Sequence, residues 1–119
     1  MLPTILLCSI ALGCSSRQMI IAAKVVSISE EYANINTDLT GPTLAKNGIV
    51  EKTYFNVRFK DHTMRTMLGK TYSDVPKGDW IALIEEDEKV QFAISFGNAA
   101  TEIGCALGDT LYIQVPERE

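Results

Sequence analysis

Tyr54-Phe55-Asn56-Val57-Arg58-Phe59-Lys60 is the stretch that decides the fold class. Phe55, Val57 and Phe59 alternate with Tyr54, Asn56, Arg58 and Lys60. A two-residue period puts the first set on one face of an extended strand and the second set on the other. Asp61-His62 then supplies a hairpin tip, from which Thr63 to Leu68 returns antiparallel. Upstream, the Ile- and Val-rich run from Met19 to Ser29 suits a first strand and Ile35 to Leu39 a second. Thr40-Gly41-Pro42-Thr43 breaks the pattern, and Leu44 to Val50 forms one irregular or helical turn that Asn47-Gly48 stops. Downstream, Val75-Pro76-Lys77-Gly78-Asp79 is a turn. Trp80 to Ile84 is apolar throughout, as a strand buried on both faces is. Glu85-Glu86-Asp87-Glu88 makes a hairpin tip, and Val90, Phe92 and Ile94 alternate with Gln91 and Ala93 on the return. Ala99 to Ala106 reads as a short helix with Asn98 as its N-cap, before a last strand carrying Leu111, Ile113 and Val115. The expected fold is mainly β: a small closed or nearly closed antiparallel barrel of six or seven strands with one short helix. Closure removes exposed strand edges.

Composition sets the outer limits. The 119 residues are 46% hydrophobic and 22% charged, room for one ordinary folded domain. A net charge of −4 excludes a basic nucleic-acid footprint, so no nucleic-acid partner is expected. One histidine and three cysteines exclude a His-rich metal site and a multi-disulfide scaffold. Neither metal nor cofactor is expected. Cys105, in an Ile-Gly-Cys-Ala setting, reads as a small packed hydrophobe rather than a nucleophile. His62 beside Asp61 is a lone pair at a turn and carries no chemistry.

Charge is absent from residues 1–16, and every Lys, Arg, Asp and Glu lies from Arg17 onward. The opening apolar run is too short to cross a bilayer as a helix, which takes about 20 residues, and reads as the apolar region of an export signal. Ala11-Leu12-Gly13-Cys14 resembles a bacterial lipobox, with cleavage before Cys14 and lipidation of its thiol. The expected organisation is a lipoprotein-type signal at 1–13, a lipidated cysteine and tether at 14–18, and the barrel domain at 19–119. Ser15, in place of Asp, points to the periplasmic face of the outer membrane of a bacterial envelope. The alternative is a disordered or buried apolar N-terminal segment.

Three segments resemble one family in order and spacing. Tyr32-Ala33-Asn34-Ile35-Asn36-Thr37-Asp38-Leu39 is similar to a Phe-Gly-Asn-hydrophobic-x-Thr-Asn-hydrophobic signature. Thr71-Tyr72-Ser73-Asp74-Val75-Pro76-Lys77-Gly78 is close to Thr-Tyr-x-Asp-Val-Pro-x-Gly. Gly97-Asn98-Ala99-Ala100, followed by Gly108-Asp109, matches a Gly-Asn-Ala-Ala…Gly-Asp ending. Together they resemble the C-terminal β-barrel domain of the S-adenosyl-L-methionine hydroxide adenosyltransferases, relatives of the fluorinase and chlorinase. The resemblance implies a ligand held between this domain and a neighbouring subunit's N-terminal domain in a trimer, with the barrel gripping adenine. Asn34 would then contact the base through its amide, and Gly97-Asn98-Ala99 would add backbone hydrogen bonds. Asn36 stands where the family has an apolar or aromatic residue flanking the base.

The resemblance also places the family's catalytic Asp, Arg and His in the N-terminal domain. Residues 1–16 read as a signal instead, so no catalytic residue is assigned here. The halogenase turn that meets the methionine carboxylate is here Glu85-Glu86-Asp87-Glu88. Like charges about 4 Å apart repel by about 1 kcal/mol even at water-like dielectric. Adenosine or another nucleoside therefore suits the chain better than S-adenosyl-L-methionine.

Plainer roles stand beside these. Asn34 is also a turn amide and Asn98 a helix cap; Tyr72 and Asp74 order the loop beside the pocket or, equally, Thr71 to Asp74 is a turn with self-satisfied side chains. The acidic run is a solvated tip rather than a calcium site. The expected function is a lipid-anchored, non-catalytic module binding a nucleoside-type ligand or a protein partner. The alternatives are the adenine-binding half of an adenosyltransferase completed by a separate catalytic domain, and a structural envelope lipoprotein without ligand.

Overall fold

The computed structural model describes residues 18–117; the expected signal and Cys14 lie outside them. The elements are β1 (Ile20–Ile28), β2 (Ile35–Thr40), α1 (Gly41–Lys46), β3 (Tyr54–Phe59), β4 (His62–Gly69), a 3₁₀ turn (Tyr72–Asp74), β5 (Trp80–Ile84), β6 (Lys89–Ile94), α2 (Ala99–Ile103) and β7 (Thr110–Gln114). The strands close into a barrel in the order β1-β2-β6-β5-β4-β3-β7. The deciding stretch behaves as its alternation requires: in β3, Phe55, Val57 and Phe59 are buried and Tyr54, Asn56 and Arg58 exposed.

The interior is apolar and continuous. Val25, Ile35, Val57, Phe92, Leu111 and Ile113 are almost fully buried in one cluster. Thr37 and Thr66 are polar exceptions, and their hydroxyls donate to the Val90 carbonyl at 2.7 Å and the Met64 carbonyl at 3.0 Å, which offsets the cost of burying them. Bulges interrupt the β1–β2 register between Val25 and Ser27 and the β2–β6 register between Asn36 and Thr40. Such irregularities let a small sheet bend into closure.

Three details differ from the sequence reading. One strand pair, β4–β5, is parallel. The chain does not turn back after Gly69 but crosses over before entering β5, so the barrel is mixed rather than wholly antiparallel. Among the described residues there are two α-helices, not one. Thr40-Gly41-Pro42-Thr43 does not merely break the pattern but starts α1: Thr40 Oγ1 accepts the Thr43 N–H, and Pro42 sits in the first turn where no N–H is needed. The second helix is shorter than expected, because Gly104 enters the left-handed region at φ 70° and terminates it. Asn98 occupies the N-cap position without a side-chain capping bond.

The crossover builds a second, outer apolar cluster. Val75 packs over Ile81, Leu83 and Ala93 with Met67 beneath it. That is why β5 reads as apolar throughout: its inward residue meets the barrel core and its outward residues meet the crossover. Gly78 N–H donates to the Ser95 carbonyl, and Ser95 N–H to the Asp79 carbonyl, so the returning segment is laced to the end of β6.

Candidate functional site

On the outer face, where the crossover passes β6 and the start of β2, the structure gathers a polar group. Asn34 is 6% and Gln91 7% exposed, both buried for polar side chains. Asn36 and Gln91 are direct cross-strand partners, and Gln91 Nε2 donates to Asn36 Oδ1 at 2.7 Å. Gln91 Oε1 in turn accepts from Asn34 Nδ2 and from Tyr72 Oη, each at 3.3 Å. Asn34 Nδ2 also donates to Tyr72 Oη at 2.8 Å. At the far end Asn36 Nδ2 donates to Ser27 Oγ at 3.0 Å and to Ser29 Oγ at 3.4 Å. Each amide position is held by its neighbours, so the group is a chain rather than a set of separate side chains.

The crossover is fastened where it leaves β4. Asp74 accepts the backbone N–H of Lys70 at 2.7 Å and of Thr71 at 3.2 Å. These two donors, Lys70 first, hold its carboxyl below the usual Asp range. Gly69 is needed at this junction, since a Cβ there would lie 2.9 Å from Ile81 Cδ1 and 3.0 Å from Asp74 Oδ2. Ser95 Oγ donates to the Tyr72 carbonyl at 3.0 Å and fixes the tyrosine from the β6 side.

Beside Asn34 a cavity of about 180 Å³ opens to the outside, lined by Tyr32, Asn34, Tyr72, Ile94, Phe96 and Gly97. Its walls are largely aromatic, and Phe96 is 78% exposed. Lys77 Nζ lies 5.0 Å from the centroid of that ring. Two residues at this edge hold left-handed backbone without being glycine: Ala33 at φ 52° and Phe96 at φ 60°. L-residues are disfavoured there, and such strain gathers at binding loops. The Ala33 carbonyl accepts the Ala100 N–H at 2.9 Å, which ties α2 to the Asn34 turn. Gly97 admits no side chain, since a Cβ would fall 2.6 Å from Ile94 Cγ2.

The five expected ligand residues therefore separate. Asn34 and Gly97 line the cavity; Asn36 does not, and reaches it only through Gln91. Asn36 instead lines a wider groove of about 740 Å³ with Val26, Ser27, Thr37, Ile84, Lys89 and the acidic residues Glu85, Glu86 and Asp87. Asn98 is exposed and Ala99 buried at the head of α2, and neither lines the cavity. Gly97 N–H is taken by the Ile94 carbonyl at 3.0 Å. Sequence reading missed Gln91, which its alternation placed on the outward face and therefore in water. The signal was present in Ile81, Leu83 and Ala93, apolar residues at neighbouring outward positions.

Other reactive groups lie apart from this arrangement. Cys105 is buried, and desolvation first, with Asp109 second, pushes its thiol up, away from nucleophilic use. His62 is exposed at the β3–β4 hairpin. Among the described residues no group of three or more His, Cys, Asp or Glu is placed to hold a metal ion.

The strap, the amide chain and the aromatic-lined cavity all lie on the outer face of a closed barrel, a fold of definite kind. Comparison identifies which. Residues 23–112 match the model of the SAM hydroxide adenosyltransferase C-terminal domain, and the chain belongs to that family. Among solved structures it is similar to an uncharacterized conserved protein from Thermotoga maritima, with TM-score 0.73 and 18% identity over 79% of this chain and 35% of that one. A conserved hypothetical protein from Thermus thermophilus is similar at TM-score 0.56 and 17% identity, over 77% of this chain and 34% of the other. The chain thus spans about a third of the solved proteins it matches. No curated protein matches it.

Proposed function

We propose that this chain is a non-catalytic recognition module whose Tyr32–Asn34–Tyr72–Phe96 cavity takes the base of an adenosine-like nucleoside. The carrying observation is Asn34: a buried amide, held through Nδ2 by Tyr72 and Gln91, at the edge of an aromatic-walled cavity. An amide reads a base edge and aromatic rings cover its faces, a combination worth about 1–3 kcal/mol per stacked base. The cavity is open on one side, which suits completion by a second surface, a neighbouring copy in a homotrimer or a protein partner. The acidic groove beyond Asn36 disfavours a ligand ending in a carboxylate, so adenosine is preferred to S-adenosyl-L-methionine. Attachment through a lipidated Cys14, at the periplasmic face of the outer membrane, completes the reading.

Calorimetric titration of the full chain with adenosine and with S-adenosyl-L-methionine tests it. The expected result is heat with adenosine, weaker heat with S-adenosyl-L-methionine, and loss of both in Asn34→Ala, with a thermal melt showing that the variant is folded at the titration temperature. No heat with either leaves a structural envelope role. For the anchor, Cys14→Ser should abolish fatty-acid labelling, and unchanged labelling would remove it.

A second reading has a specific support. The match of residues 23–112 to the adenosyltransferase C-terminal domain supports it: the domain would act as the adenine-binding half of an adenosyltransferase together with a separate catalytic domain. Release of adenosine from S-adenosyl-L-methionine only when such a domain is added would establish it.

A further inference from the structure

We infer that the amide chain at the cavity is reversible, so that one site reads both 6-amino and 6-oxo purine nucleosides. This rests on the nucleoside reading above and deepens it. In the observed orientation Asn34 gives Nδ2 to Tyr72 and Gln91, Gln91 gives Nε2 to Asn36, and Asn36 gives Nδ2 to Ser27 and Ser29. Asn34, which lines the cavity, thereby keeps Oδ1 available to it. Among the described residues that oxygen has no hydrogen-bond partner, and no buried side-chain polar atom is left unsatisfied, so it meets open space.

Turning all three amides over preserves every contact. Asn36 then gives Nδ2 to Gln91 Oε1 and receives the serine hydroxyls at Oδ1. Gln91 gives Nε2 to Asn34 Oδ1 and to Tyr72 Oη, and Tyr72 donates to Asn34 Oδ1. Hydroxyl groups both donate and accept, and here they stand at the end of the chain and at Tyr72, the places where reversal requires a change of role. No single amide can turn alone without setting two donors or two acceptors face to face. The two states differ at one outward point: Asn34 offers the cavity an acceptor in the first and a donor in the second. The acceptor fits a 6-amino group and the donor fits a 6-oxo group.

The test is titration of the full chain with adenosine and with inosine, in the wild type and in two variants that cannot reverse. Asn36→Asp places an obligate acceptor opposite Gln91, so Gln91 must keep Nε2 toward it and Asn34 must keep Oδ1 outward. Gln91→Glu forces the same orientation on Asn34 by a different route. The expected result is similar affinity of the wild type for both nucleosides. Each variant should retain adenosine and lose about tenfold or more for inosine, a change of about 1.4 kcal/mol. Asn36 is only half-buried, so its variant should stay folded, and a thermal melt checks this. Adenosine binding without inosine binding in the wild type would overturn reversal and leave the nucleoside reading standing. Equal weakening of both nucleosides in the variants would do the same. Binding of neither nucleoside by the wild type would overturn both.

Discussion

The two sides of β2, β6 and β5 are built on opposite rules. Facing inward, Ile35, Phe92 and Ala82 are apolar and packed against each other, and their burial drives folding. Facing outward, Asn36 and Gln91 are amides joined by a 2.7 Å hydrogen bond, and Tyr72 of the crossover from β4 reaches Gln91. Next to them Ile81, Leu83 and Ala93 are outward yet buried under Val75. The inner side follows from strand period alone. The outer side is determined by what lies on top of it, a strap about ten residues long that makes the only parallel pairing among the described strands. The buried amides collect where burial comes from a connection rather than from the sheet itself, because there polar groups can be held without entering the core.

Substitutions on the two sides should separate these rules. The largest effect is expected inside: Phe92→Ala removes a fully buried ring and should cost about 3–5 kcal/mol in urea unfolding. Outside, Gln91→Ala strips Asn34 and Asn36 of a shared partner and should cost about 1–3 kcal/mol while weakening adenosine binding. At the boundary, Gly97→Ala drives a methyl into Ile94 and should cost about 1–3 kcal/mol, read as a lower urea midpoint. A smaller change of opposite sign is expected from Ala33→Gly, which relieves a positive φ and should stabilise by about 0.5–1 kcal/mol.

The strap supplies a pH-dependent comparison. Asp74 has its carboxyl pKa lowered by the Lys70 and Thr71 N–H donors. Its contribution is therefore present above the unfolded-chain value near pH 3.9 and is lost as pH falls through the lower folded value. Between about pH 4 and the onset of acid unfolding, the wild type should lose stability more steeply than Asp74→Asn. Parallel slopes in the two proteins would detach Asp74 from the strap's anchorage.

What the sequence made legible follows the same division. The alternation in Tyr54 to Lys60 and the all-apolar Trp80 to Ile84 were enough for strands and for burial on both faces of β5. The parallel step was not, because Val75-Pro76-Lys77-Gly78-Asp79 has the residues of an ordinary turn and nothing local says which way the chain leaves it. Asn34 and Tyr72 could be named from a resemblance, but their contact spans 38 positions and only the crossover creates it. Gln91 was hidden by its own regularity: a polar residue at an outward strand position looks solvated until something covers it. The start of α1 was hidden because Gly-Pro reads as a breaker, although Pro is well suited to a first helical turn.

A crystal structure of the full chain grown with adenosine addresses the central claim most directly. The base is expected between Tyr32 and Phe96, with its 6-amino group against Asn34 Oδ1 and the Tyr72 contact intact. Adenosine seated in the acidic groove by Ser27 and Glu86, or a cavity that stays empty at saturating ligand, would contradict it.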